Sequence, residues 1–350
     1  MLRLWNETNA KPQTWYRKQL DGCVSSNGKP YSITLKKGTV NKLLVNFLGG
    51  GASWNEETAR VPISIRSMNG FYISHIAPIF LNMGHVGLFA PDDTRSPFHD
   101  WYILNIPYSS ADFHLGDSDF HYQNDNGKPA ILHHHGRKNV EAALGVLTEF
   151  FSETPNILAI SGVSAGGFGA LAHSPAIQSL YPDCENILLY TEGAHLPSQK
   201  WPAIMRNVWN ISPDLAAYMN SDDPVFDLFR YAQDHMPPHT RFLHSVSVWD
   251  EMLARFMHKM KHDEMIITPQ TLQEFHESLI HTVKKLKQNI PNYAYYLTDY
   301  GKKKDGTTPH IFSGTPKLLY SEMQDGMPLA TWISQAFETQ PADIGSKFLN

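Results

Sequence analysis

The five residues Gly162, Val163, Ser164, Ala165 and Gly166 restrict the fold of this chain more than any other feature of its sequence. A β-rich run, Asn156 to Ser161, comes directly before them, and a helical pattern opens at Ala165. A serine on so tight a strand-to-helix turn is held in a strained backbone conformation, and the residues two before and two after it approach closely. Both must be nearly free of side chain, and both are glycine. The pattern alone is weak, because a glycine-rich turn occurs without chemistry; its place between strand and helix makes Ser164 a candidate nucleophile.

The surrounding sequence has the alternation that such an elbow requires. Short apolar runs, Lys42 to Leu48, Tyr102 to Ile106, Asn156 to Ser161, Ile187 to Tyr190, Arg241 to Val248 and Tyr293 to Thr298, read as buried parallel strands. Between the second and third, Val140, Leu144, Leu147 and Phe151 recur at helical spacing over Arg137 to Ser152. Further helices are expected over Pro269 to Lys287 and Leu329 to Phe337. From Pro197 to His239, Pro202, Pro213, Pro224, Pro237 and Pro238 break short helical pieces rich in Trp, Met and Phe, the pattern of a helical cap inserted into the sheet. The expectation is one α/β-hydrolase domain over residues 1–350: a mostly parallel central sheet flanked by helices, with a cap over 197–239.

Composition narrows the class. With 42% hydrophobic and 18% charged residues in 350, the chain can bury a large core. A formal charge of −5 gives no attraction for phosphate backbones, so nucleic acid is not an expected partner. Cys23 and Cys184 allow one disulfide at most and read as free thiols. Met1 to Leu20 has no apolar core of a signal peptide, and no run approaches membrane-spanning length, so the expected setting is away from membranes and cytoplasmic, or secreted if a leader has been removed.

A serine hydroxyl attacks an acyl carbon only with help. Oxyanion donors are expected from the amide of Ala165 and from the Gly49, Gly50, Gly51 loop that follows an early strand. The base should lie after the last strand, which favours His310 among 18 histidines, and the orienting acid after the strand ending near Val248, which favours Asp250. Glu192, at the end of the preceding strand, is the alternative acid or else a structural one. The run His133, His134, His135 reads as a solvated loop and not a metal site, since adjacent side chains on a strand point in alternate directions. Neither metal nor cofactor is expected.

In order along the chain, these segments resemble the pectin acetylesterase family. Leu48 to Trp54 (LGGGASW) is similar to its L-E-G-G-G-W-C segment, and Ser96 to Asp117 to its N-P-F-x-x-W-N, P-Y-C, G-D stretch. His134 to Val140 resembles the segment that opens a helix before the nucleophile, Gly162 to Gly167 (GVSAGG) resembles G-C-S-A-G-G, and Thr191 to Ala194 resembles S-D-A-G. The motifs run from about residue 22 to 320. The resemblance implies an α/β-hydrolase that removes an O-acyl group without a metal, with Ser164 as nucleophile, Asp250 as acid, His310 as base and Gly50, Gly51 and Ala165 around the oxyanion. The departures matter. Val163 and Ser109 stand where cysteines are usual, so that framework is absent, which suits a reducing compartment. Polymeric pectin is then a less fitting substrate than a small molecule or oligosaccharide ester. Two rival readings stay open: an esterase or thioesterase for longer acyl chains, and a catalytically silent carbohydrate-binding protein on the same scaffold.

Overall fold

The computed structural model describes residues 2–63, 69–77, 81 and 84–350. In chain order its strands are β1 (Arg3–Leu4), β2 (Trp15–Val24), β3 (Pro30–Lys36), β4 (Leu43–Phe47), β5 (Pro62–Ile63), β6 (Tyr72–Ile73), β7 (Tyr102–Ile106), β8 (Ser118–Gln123) and β9 (Pro129–His134). They continue with β10 (Leu158–Val163), β11 (Ile187–Glu192), β12 (Arg241–Ser247) and β13 (Tyr293–Thr298). Nine form one sheet in the order β1-β2-β3-β7-β4-β10-β11-β12-β13, parallel from β7 to β13; toward the other edge β3 is antiparallel to both β7 and β2, and β1 pairs parallel with β2. This is the α/β-hydrolase fold, a mostly parallel sheet between helices.

Alternation along each strand divides the core in two. Leu43, Val45 and Phe47 of β4 pack on one face with Leu158 and Ile160 of β10. Leu44 and Ala159 turn to the other face with Leu188, Tyr190 and Tyr296. Helices Gly136–Phe150, Ala165–Ser179, Pro224–His235 and Pro269–Asn289 supply the first layer; Trp332 and Ile333 of helix Leu329–Gln335 anchor the second. Helix Pro269–Asn289 starts where the sequence stops competing with it: Thr268 and Thr271 form a reciprocal capping box, and Pro269 occupies the first turn, where no amide partner is needed. In helix Gly136–Phe150 the buried stripe also takes in Ala143, Val146 and Phe150, leaving Leu144 half-buried.

Between 197 and 239 lie the three short helices Trp201–Asn207, Pro213–Tyr218 and Pro224–His235. Trp201, Met205, Trp209, Met219, Phe226, Phe229 and Met236 are all buried, in the core continuous with the sheet. Cys23 and Cys184 are free and buried. Among the described residues no helix is long and apolar enough to cross a membrane.

The parallel strands all end on one side of the sheet. Strand order reverses between β4 and β10, whose neighbours β7 and β11 lead away in opposite directions. Such a switch point leaves a crevice outside the carboxyl ends of the strands. A buried polar chain runs beneath it: the Ser161 hydroxyl donates to Asn46 Oδ1 (2.7 Å), Asn46 Nδ2 to Asn105 Oδ1 (2.9 Å) and Asn105 Nδ2 to the Gly84 carbonyl (2.6 Å). Cutting one link leaves a buried group unpaired, a cost of about 1–3 kcal/mol, so this chain fixes the spacing of three strands just below the crevice.

Candidate active site

Ser164 lies at the crevice in the elbow conformation, with φ 55° and ψ −126°, a region that a residue with a side chain enters only under constraint. Its amide donates to the Glu192 carbonyl (2.7 Å), and its carbonyl accepts from Gly167 (2.9 Å). The flanking glycines are obligatory: a Cβ on Gly162 would lie 2.1 Å from the Gly166 carbonyl oxygen, and one on Gly166 2.1 Å from that of Phe47. Strain at a non-glycine residue of this kind costs about 1–3 kcal/mol, more than glycine's extra chain entropy of roughly 0.5–1 kcal/mol. Ser164→Gly should therefore raise the thermal unfolding midpoint while removing the hydroxyl; an unchanged or lower midpoint by calorimetry would show that the elbow is not strained.

The glycine loop runs beside this serine. A Cβ on Gly49 would sit 2.6 Å from Ser164 Cβ, and Gly51 has φ 78° with its missing Cβ aimed 1.8 Å from the Phe71 carbonyl oxygen. Bonds from Ile73 N–H to the Gly50 carbonyl and from Ala52 N–H to the Phe71 carbonyl, both 2.9 Å, pin the loop. Among the described residues the amides of Gly50, Gly51 and Ala165 have no protein acceptor.

A second support was not legible as such in the sequence. The turn after β7 has three non-glycine residues at positive φ: Ala111 (62°), Phe113 (57°) and His114 (66°). Asp112 holds them by accepting from the Ser110 hydroxyl (2.5 Å) and the amides of His114 (3.0 Å), Gly116 (3.1 Å) and Gly136 (2.8 Å). Burial nevertheless pushes its carboxyl up to about 7 against the pull of those donors. The turn presents His114 Nε2 to the Leu48 carbonyl at 2.9 Å, and His173 Nε2 holds the His114 carbonyl at 2.8 Å. Burial lowers His114 to about 3 and His173 to about 4, so both stay neutral, and each Nε2 carries the proton that its carbonyl partner requires. Leu48 is the residue before the glycine loop, so His114 fixes where that loop begins.

Asp250 and His310 meet. Thr308 forms a bridge with Asp250, its amide donates to the Trp249 carbonyl (2.9 Å), and the Ser247 and Thr308 hydroxyls are bonded, which lays the loop after β13 along the end of β12. His310 Nδ1 then donates to Asp250 Oδ2 at 2.6 Å. Asp250 is fully buried, and its Oδ1 caps helix Glu251–His262 by accepting the Leu253 amide (2.9 Å). One carboxylate thus orients both a helix and an imidazole. Burial opposes charge on His310, but Asp250 and, more weakly, Glu192 outweigh it and raise its pKa above the ordinary value. Its Nε2 has no partner among the described residues.

Glu192 makes a different set of contacts. Its Oε1 accepts the amides of Phe312 (2.6 Å) and Ser313 (3.1 Å), two and three residues past His310, and burial raises its pKa despite those donors. It therefore ties the His310 loop to the strand end that also receives the Ser164 amide. Gly193 follows it, and a Cβ there would lie 3.1 Å from His310 Cε1, so the imidazole rests where only glycine leaves room.

Ser164, the Gly49–Gly51 loop and His310 line one cavity of about 690 Å³. Its apolar wall includes Ile73, Val86, Phe89, Met252, Phe256 and Met265, and Glu251, Arg255 and Lys303 bring charge to it. No residue from 197–239 is part of that wall; the Trp and Met side chains there are core. A hydroxyl, an imidazole with a free Nε2 and unpaired amides facing one largely apolar cavity are the components of acyl transfer.

The histidine run is not a solvated loop. His133 and His134 end β9 and His135 precedes helix Gly136–Phe150; His134 is buried with Nδ1 3.1 Å from the Ser110 carbonyl, whereas His133 and His135 both reach Asp119 on β8. Alternation along a strand separates neighbours but places residues two apart on one face.

The Pectinacetylesterase family profile matches residues 11–202. Two crystal forms of a protein described as the Wnt deacylase Notum from Drosophila superimpose on this fold: form II with TM-score 0.61 at 13% identity and form I with TM-score 0.62 at 14%, each covering 93% of this chain and 95% of the other. No curated protein matches the sequence.

Proposed function

Because this chain belongs to the pectinacetylesterase family and is a carboxylic ester hydrolase, we propose that it removes O-acyl groups, acetyl foremost, from carbohydrate esters through an acyl-enzyme on Ser164. The observation that carries this reading is the opening of Ser164, the Asp250-bonded His310 and the glycine loop into one cavity. His310 Nε2 takes the Ser164 proton as Oγ attacks the acyl carbon; the amides of Gly50, Gly51 and Ala165 receive the developing oxyanion. The same imidazole then protonates the departing alcohol, and water, activated by it in turn, releases the acid.

A second reading concerns the acyl group. A cavity of about 690 Å³ with several aliphatic and aromatic walls exceeds what an acetyl group fills, which favours a longer chain. Hydrolysis of p-nitrophenyl esters from acetate to palmitate, with acetate release from acetylated oligosaccharides measured beside it, separates the two. Fastest turnover of acetate supports the first reading, and a preference for octanoate or longer supports the second. No turnover of any ester by folded protein would overturn both and favour a binding role.

A further inference from the structure

Antiparallel strands β8 and β9 form a two-stranded ribbon outside the main sheet. Its register sets Asp119 directly opposite His133. His135, two residues on, returns to the same face, with the His133 and His135 rings 5.1 Å apart. Both imidazoles converge on a single carboxylate oxygen: His133 Nδ1 is 2.6 Å and His135 Nε2 2.9 Å from Asp119 Oδ1. One ligand atom from each of the three lies within 4.8 Å of the others. Both histidines are half-buried, and the neighbouring cations are turned elsewhere, since Arg137 and Lys138 each bind Asp117 at 2.8 Å.

We infer that Asp119, His133 and His135 form a binding site for a divalent first-row transition ion of the zinc type. Two imidazoles and a carboxylate are donors suited to such an ion, and tetrahedral bonds of about 2.0–2.2 Å separate donors by roughly 3.3 Å. The three side chains already point at one place, and admitting an ion requires them to open by about half an ångström. In the bound form each imidazole turns a ring-nitrogen lone pair to the ion and keeps its proton on the other ring nitrogen, and water fills the remaining position.

The placement defines the role. None of the three residues lines the Ser164 cavity, so the ion is a staple and not part of ester hydrolysis. It ties β8 to the end of β9 and to the residue before helix Gly136–Phe150. A two-stranded ribbon has little stability of its own, so a cross-strand link matters there. The His133 amide bond to the Ser26 carbonyl (2.9 Å) and the Gly136 amide bond to Asp112 connect the stapled segment to the body of the protein.

Titration of the metal-stripped full chain with Zn²⁺, by calorimetry and by competition with a chromophoric chelator, tests the site. One equivalent should bind and raise the unfolding midpoint, and Asp119→Asn, His133→Gln and His135→Gln should each weaken binding by about tenfold or more. Asparagine and glutamine keep hydrogen-bonding capacity, and circular dichroism together with unchanged ester hydrolysis establishes that the variants fold. The pair His258 and His262, with rings 4.6 Å apart, is the control. Zn²⁺ binding that persists undiminished in the ribbon variants, or is lost only in His262→Ala, would overturn the assignment, as would failure of the wild type to bind.

Discussion

Ser164→Ala is expected to lower kcat for a p-nitrophenyl ester by about 10⁵- to 10⁶-fold, with circular dichroism unchanged. The size follows from what the substitution removes. Without Oγ there is no acyl-enzyme, and neither the imidazole nor the oxyanion donors can replace the missing bond-forming atom; in a serine hydrolase whose nucleophile was deleted, the loss was about 10⁶. What survives is the part due to binding and to the Gly50, Gly51 and Ala165 amides, which can still hold an ester while water attacks, worth about 10³–10⁴ over the uncatalysed reaction. The fold should persist, because no side-chain hydrogen bond of Ser164 is present among the described residues and the elbow is set by backbone contacts to Glu192 and Gly167. Steady-state kinetics on both proteins checks this, with a fluorophosphonate probe that should label the wild type alone. Activity of the variant within tenfold of the wild type would remove Ser164 from the mechanism.

Much of this arrangement was legible because the signals were local. Tyr102–Ile106 and Tyr293–Thr298 are apolar runs with turn residues at both ends, and the structure places strands over those same residues. The elbow and the glycine loop declare themselves because steric contact admits no other residue. Position in the chain was enough to favour His310 and Asp250, since in a parallel sheet each strand delivers its following loop to the same edge. The N-terminal pair β2 and β3 was not read as strands. β2, one strand in from the sheet edge, mixes charged and apolar residues (WYRKQLDGCV) and contains a register shift between Gln19 and Val24, so no clean alternation marks it. Nor was His114 legible as a support for the loop. Its role depends on a positive φ and on a carbonyl 66 residues away, and neither leaves a trace in sequence spacing. The cavity wall leaves no mark for a related reason: Met252, Arg255 and Phe256 belong to helix Glu251–His262, and Asp250 is at once its cap and the acid facing His310, two tasks that one aspartate performs without any difference in sequence.

That double task frames the comparison of the two carboxylates. Asp250→Asn is expected to lower kcat by about 10⁴-fold, whereas Glu192→Gln should lower it far less, by roughly tenfold or under, and reduce stability. An asparagine at 250 can still cap the helix through its side-chain oxygen, so the scaffold survives. Facing His310, however, an amide no longer stabilises the imidazolium and can reverse the tautomer, the origin of the roughly 10⁴-fold loss seen when a triad aspartate is so replaced. Glu192 bonds amides and not the imidazole; a glutamine oxygen can still accept from Phe312 and Ser313, though its buried amide protons then lack acceptors, a cost of about 1–3 kcal/mol. The pH dependence of kcat/KM separates the roles further. His310 must be neutral to accept the Ser164 proton, so activity falls as pH drops through its pKa, and in the wild type that limb should lie above the ordinary histidine value of about 6.5 because Asp250 raises it. Removing the Asp250 charge leaves burial, which lowers the pKa, so the residual activity of Asp250→Asn should extend to lower pH. Glu192→Gln should move the limb in the same direction but less, since Glu192 is the weaker of the two influences on His310. A limb unmoved in Asp250→Asn, or a larger kinetic loss in Glu192→Gln, would exchange the two roles and make Glu192 the orienting acid.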